Sequence, residues 1–272
     1  MTINKRAGRS IKKNIAFYSI SIILTMLTSM VIVAAVSTGH TLTKFVDDFV
    51  KDYKAEDAEF NTYQLLSDAD MEKLEQEYDV ILEYSRYKDI NVESGDFKGA
   101  TIRVFPMPEK LNLCEVRDGH EPGDGEALLT QDFADVHDIK VGDTISLGAY
   151  DYKVSAYTTK ADYIYMLEKL SGYIDSEKFA LVVVNRKEYD NIDADETGYY
   201  SIKYNKDNSK EVREKLNADY VIASYMAATT NARISMPVNE GDAVTNMATM
   251  YAPVMFIIII TLVVMVLGRN IR

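Results

Sequence analysis

The sequence predicts an α+β protein: an α/β layer with an inserted small β-rich subdomain, flanked by two transmembrane helices that continue into helical stalks. Two observations carry this. The chain of 272 residues contains two apolar runs without Lys, Arg, His, Asp or Glu, 22 residues from Ile15 to Val36 and 20 from Ala248 to Leu267. Between them, segments that alternate at strand spacing are interleaved with short segments of helical spacing. The expected organisation is a basic tail over 1–13, a first membrane helix over 14–36, an outer domain over 37–246, a second membrane helix over 247–268 and a short end over 269–272. Within the outer domain, 37–115 and 176–246 are read as the α/β part and 116–175 as the insert.

At 1.5 Å rise per residue each apolar run covers about 30 Å, the thickness of a bilayer's hydrocarbon core. The first run is longer than the apolar region of a signal peptide and no A-x-A site follows it, so it reads as an uncleaved anchor. Lys5, Arg6, Arg9, Lys12 and Lys13 precede it, and Arg269 and Arg272 follow the second run. This places both termini in the cytoplasm and the intervening residues outside. Setting those seven cations aside leaves 23 Lys and Arg against 42 Asp and Glu, a net charge near −19. Such a surface excludes nucleic acid as a partner. Cys114, the one cysteine, has no disulfide partner within the chain.

Past the first run, Phe45, Val46, Phe49, Val50 and Tyr53 recur at helical spacing, which predicts that the membrane helix continues as a stalk. Val244, Met247, Tyr251 and Val254 do the same on the approach to the second run, with Pro253 as the expected kink. Phe45, Phe49, Val244 and Met247 are the candidate coupling residues. Ser67 is placed to cap a helix with Met71, Leu74 and Tyr78 on one face. Strands follow at "DVILEYSRY" and "KGATIRVF", then at "KFALVVVN", "YYSIKYN" and "YVIASYM", with a short helix at "NSKEVREKLN". In the insert, "EALLT", "TISL" and "YDYKVSAYT" read as strands, "QDFADVHDI" as a helical turn, and Gly142 and Gly148 as turn positions suited to positive φ. The two α/β ends are expected to pair into one layer from which the insert projects.

"GHEPGDGEALLTQDFADVHDIKVGDTISLGAYDYKVSAYTT", Gly119 to Thr159, is similar to the extracytoplasmic core domain of MacB/FtsX-type ABC transporter permeases. In that family a G-x-x-P turn, a glutamate-led strand, a short helix, "KVGDTI" and a final "KV" strand come in this order. The closing "LGRNIR" resembles the end of the family's second membrane helix. The resemblance implies a non-catalytic subunit, the first part of a longer permease. Its partners would be a cytoplasmic ABC ATPase, further permease helices or a second protomer, and the lipid bilayer. Export, lipid, lipoprotein or peptide handling, and activation of cell-wall hydrolases are all within the family's range.

Sites for chemistry are sparse. No phosphate-cradling G-x-x-x-x-G-K loop and no G-x-S-x-G elbow occurs, so an enzyme is not expected and no cofactor is called for. Asp118, His120, Glu121 and Asp124 could offer ligands to a cation, but they lie in a Gly/Pro loop where solvated polar residues are the ordinary outcome. Asp47-Asp48 and Asp193-Asp195-Glu196 read as surface. Tyr163, Tyr165, Met166, Leu167, Leu170 and Tyr173 gather amphipathic bulk beside the insert, suited to a peptide- or lipid-contacting surface or to packing on the protein's own core. Ser21, Thr25 and Ser29 share one face of the first membrane helix, where they either admit another helix or bond back to their own backbone. The absence of ionisable groups from both spans fits force transmission better than ion conduction. The competing readings are a membrane-anchored ligand-binding or sensory module and a scaffold docking through the Ser21 face.

Overall fold

The computed structural model describes residue 12 and residues 15–271. Lys5, Arg6, Arg9, Lys13 and Arg272, which carry most of the orientation argument, lie outside the described residues. The chain divides into two compact units. One holds the chain up to Val46 and from Pro237 onward, and the other runs from Asp47 to Met236.

The first unit contains most of two long helices, α1 (Ile15–Asp52) and α6 (Ala232–Ile271). Both are long and apolar enough to cross a membrane, with a mean hydropathy of 2.3 over their most apolar stretches, and hardly any of those residues is buried. α6 begins well before the predicted stalk and runs through Pro237 as well as Pro253. The helices meet at two glycines. A Cβ on Gly39 would collide with Thr245 Oγ1 and lie 2.5 Å from the Gly241 carbonyl oxygen, so only glycine admits this approach. Alongside, Leu27, Val31, Ala35, Met247, Tyr251 and Met255 line an apolar groove of about 470 Å³.

The second unit is built on one mixed sheet. Its strands are β1 (Ala58–Thr62), β2 (Val80–Asn91), β3 (Thr101–Pro106), β4 (Cys114–Arg117), β5 (Glu126–Thr130), β6 (Thr144–Leu147), β7 (Tyr150–Lys160), β8 (Phe179–Val184), β9 (Glu196–Tyr204) and β10 (Ile222–Ala227). Their order is β10-β1-β9-β2-β3-β8-β5-β7-β4, with β6 pairing with β7. β3 with β8 and β5 with β7 are parallel, and the other pairs are antiparallel.

One face carries the short helices α2 (Asp68–Tyr78), α3 (Gln131–Val136), α4 (Arg186–Asp190) and α5 (Ser209–Tyr220). Ser67 starts α2 as the spacing predicts: its hydroxyl accepts from the Asp70 amide and Asp70 Oδ2 accepts from the Ser67 amide. Leu74, Val212 and Leu216 then bury against Phe60, Leu82 and Ile202. Farther along the same face, Phe133 and Tyr189 pack over Ile102, Val104, Leu129, Val182 and Val184. β8 is buried at all six residues, as its unbroken apolar run requires of a central strand covered on both sides.

One expectation is corrected. The segment 116–175 does not project from the α/β layer. β5 pairs with β8 and with β7, so β4 to β7 extend the same sheet. The physical reason is that β5 is apolar on both faces, Ala127 and Leu129 on one and Leu128 on the other, which an edge of a separate subdomain could not bury. The first long helix runs unbroken to Asp52, as a continuing stalk would.

Candidate functional site: where the long helices join the sheet

The last turn of α1 and the first turn of α6 belong to the second unit, and one irregular segment, 161–168, packs against the α1 end and is hydrogen-bonded to the α6 end. At the α1 end, Phe49 and Ala55 are buried with Ala161, and Val50, Tyr53 and Ile164 pack around them. The Phe49 and Tyr53 rings lie 4.5 Å apart. Beyond Asp52 the chain reverses through Lys54, whose φ is 49°. There the carbonyls of Tyr53 and Lys54 accept from the amides of Leu113 and Asn112, at 2.9 and 3.0 Å. These bonds tie the helix end to the residues leading into β4.

At the α6 end, buried Asn231 accepts from the Arg233 amide through Oδ1 at 3.1 Å, as a helix cap does. Arg233 donates from Nε to the Leu167 carbonyl at 3.0 Å and from Nη2 to the Glu168 carbonyl at 2.9 Å. Its own carbonyl accepts from the Tyr165 amide at 2.8 Å. The guanidinium lies 4.4 Å from the centre of the Tyr163 ring.

Beneath the segment, on the helix-free face of the sheet, is a buried polar cluster. Arg103 holds Asp89 through two bonds of 2.8 and 2.7 Å and donates to the Tyr163 hydroxyl at 2.7 Å. Lys160 and Asp162, both 2% exposed, form an ion pair at 2.5 Å, and Asp162 Oδ2 accepts from the Tyr199 hydroxyl at 2.8 Å. Glu56, also buried, exchanges two bonds with Asn112: its amide donates to Oδ1 and its Oε2 accepts from Nδ2, each at 2.9 Å. Asn112 Nδ2 also reaches Ser201 Oγ at 3.0 Å, and Ser201 meets Ser85 Oγ at 3.0 Å. Burial, followed by repulsion from Asp162 and Glu59, pushes the Glu56 carboxyl up to about 8, against the opposing hydrogen bonds from Ser201 and Asn112. Burial and Asp162 raise Glu59 as well, while Arg233 and Lys160 pull it back. Burial lifts the Cys114 thiol to about 12, which leaves it inert.

The predicted site residues divide sharply. Tyr163 and Met166 are buried against Phe105, Phe179 and Leu181, which is the core-packing alternative of the two roles open to them. Their segment is irregular because its backbone bonds are spent on Arg233 and the turns. Tyr165 is half-buried beside Arg233, and Tyr173 is 79% exposed on the following loop. Of the coupling residues, Phe49 is docked, whereas Phe45, Val244 and Met247 are exposed on the long helices. Ser21, Thr25 and Ser29 are half-buried, and Thr25 Oγ1 bonds back to the Ser21 carbonyl at 2.8 Å.

In the loop of Asp118, His120, Glu121 and Asp124, Asp124 is bonded to Lys187 and Asn185, and His120 Nδ1 lies 2.8 Å from the Glu121 carbonyl. Among the described residues no group of three or more His, Cys, Asp or Glu is placed to hold a metal ion. Gly119 has a packing role in that motif, since a Cβ there would overlap the Ser155 carbonyl oxygen. Glu56, Asn112 and Ser201 come from three distant segments, and no motif or spacing marks them. The one readable hint was an acid immediately after the predicted stalk.

No protein-family model matches the chain, and no curated protein matches it. A solved structure of a Bacillus anthracis protein assigned as a lipoprotein shares 8% identity with it. That match covers 62% of this chain and 96% of the other, with a TM-score of 0.30, a likeness too slight to carry an argument.

Proposed function

We propose that the chain is a non-catalytic membrane subunit, the first part of a MacB/FtsX-type ABC permease, in which helix movement driven by a cytoplasmic ATPase is passed to the outer sheet. The observation that supports this reading is the sharing of segment 161–168 by both long helices. A relative shift of α1 and α6 pulls on Ala161 and Ile164 from one side and on Tyr165 to Glu168 from the other. Because these residues sit on a close-packed sheet, the shift is passed on as a shear or tilt rather than absorbed. In this reading both termini are cytoplasmic and the sheet lies outside the membrane.

The test is a disulfide between the two helices. A Cβ on Gly241 would lie 3.7 Å from Leu42 Cβ, close to the separation a disulfide needs. Buried Cys114 does not compete for the oxidant. In the native assembly, oxidised Leu42→Cys/Gly241→Cys is expected to uncouple ATP hydrolysis from transport, and reduction to restore it. Unchanged coupling in the oxidised protein would sink the reading.

The second reading, a membrane-anchored ligand-binding module, has one observation in its favour. A cleft of about 410 Å³ opens on the helix-bearing face, with Leu82, Tyr84 and Arg86 as its floor and Met71 and Met107 as its walls. It is the reading that stands if no ABC ATPase co-purifies with the full native protein.

A further inference from the structure

We propose that Glu56 is a proton-binding site of the helix junction: a proton is held there while the ends of α1 and α6 are docked, and is released when they separate from segment 161–168. Docking is thereby linked to pH.

The inference rests on which charges are buried together. Asp162 and Glu59 face Glu56 as acids, while the nearby bases Lys160 and Arg233 act on Glu59. Lys160 is taken up by Asp162, which it meets at 2.5 Å. Arg233 is spent on the Leu167 and Glu168 carbonyls and offsets Glu59. Lys203, on β9, donates to the Ala55 carbonyl at 2.7 Å and lies 3.7 Å from Asp57. The remaining titratable neighbours, Tyr199, Tyr163 and Cys114, are all held in their neutral forms by burial. Among the described residues, then, no cation remains to balance Glu56.

Asn112 and Ser201 offer it dipoles only, and a buried carboxylate with no counter-charge is costly. A proton removes that cost, and the Glu56–Ser201–Ser85 chain provides an oxygen to receive its hydrogen bond. Separation of the junction returns the group to water and to the ordinary carboxylate range, so one proton leaves at neutral pH. The sign follows from the raised affinity for the proton in the docked state. Docking is strongest below about pH 4.5, weakens as pH rises toward about 8, and levels off above that.

The experiment uses the full chain in lipid nanodiscs and needs no ATPase. Hydrogen exchange is followed at the amides of Asn112, Leu113 and Tyr165, whose bonds tie the junction together. After correction for intrinsic rates, protection is expected to fall by up to about tenfold per pH unit between about pH 5.5 and 7, and the slope is expected to vanish in Glu56→Gln. A slope that persists in Glu56→Gln overturns the proposal. Should that variant not fold, the ¹³C carboxyl signal of Glu56 in the unaltered chain decides. A midpoint above pH 7 supports the site, and one in the ordinary glutamate range overturns it. A chain that shows the slope yet never associates with an ATPase keeps the proton site and loses the transport reading.

Discussion

The two faces of the sheet are one residue out of phase and differ in what they bury. Over β3 and β8 the helix-bearing face presents Ile102, Val104, Val182 and Val184 to Phe133 and Tyr189. The opposite face carries Phe105, Phe179, Leu181 and Val183 as well, but sets Arg103 among them, bonded to Asp89 and Tyr163, with Lys160, Asp162, Glu56 and Ser201 buried nearby. Apolar burial is non-directional and tolerates small shifts. A buried polar network has value only while each partner is met, so it specifies one geometry and responds steeply to any change in it. The junction with the long helices lies on the second kind of face.

Substitutions can break this comparison or sharpen it. Two substitutions share the largest expected effect; Phe133→Ala on the helix-bearing face loses about 3–5 kcal/mol of stability by denaturant melting, because a fully buried ring leaves a cavity. On the polar face, Lys160→Met or Asp162→Leu alone strands a buried charge and costs about 3–5 kcal/mol, whereas the double variant recovers most of it. Recovery would show that the pair fixes geometry more than it adds stability, and its absence would remove the distinction between the faces. Ser67→Ala, at the rim of the helix-bearing face, gives the smallest change, about 1 kcal/mol, since it removes one cap and leaves the packing of Leu74 intact.

The same distinction explains what was readable in the sequence. The strands and helices announced themselves through period and caps: Ser67 before its helix, the unbroken run of β8, and Gly142 and Gly148 at φ of 100° and 72°. Placement of the insert was not readable, because β5 reaches β8 across some fifty residues and nothing local encodes that pairing. Tyr163 and Met166 were visible as bulk, but whether bulk faces water or core depends on what arrives above it. The polar cluster was hidden for a stronger reason. Glu56, Asn112 and Ser201 are unremarkable singly and acquire their character only from mutual burial.

The position of β1 constrains how the protein is made. Ala58 is opposed by Ile202 on one side and Ala227 on the other, so the first strand to emerge is the one that waits longest for its neighbours. During synthesis it remains unpaired for well over a hundred residues, and contacts of that sequence separation form slowly. β10 ends at Ala227 and α6 starts at Ala232, so the sheet is completed only as translation arrives at the second long helix. A ribosome that stalls before that point leaves β1 with its β10 side open, and one that stalls before Glu196 leaves it open on both sides, a species that chaperones and proteases can tell apart from the finished fold.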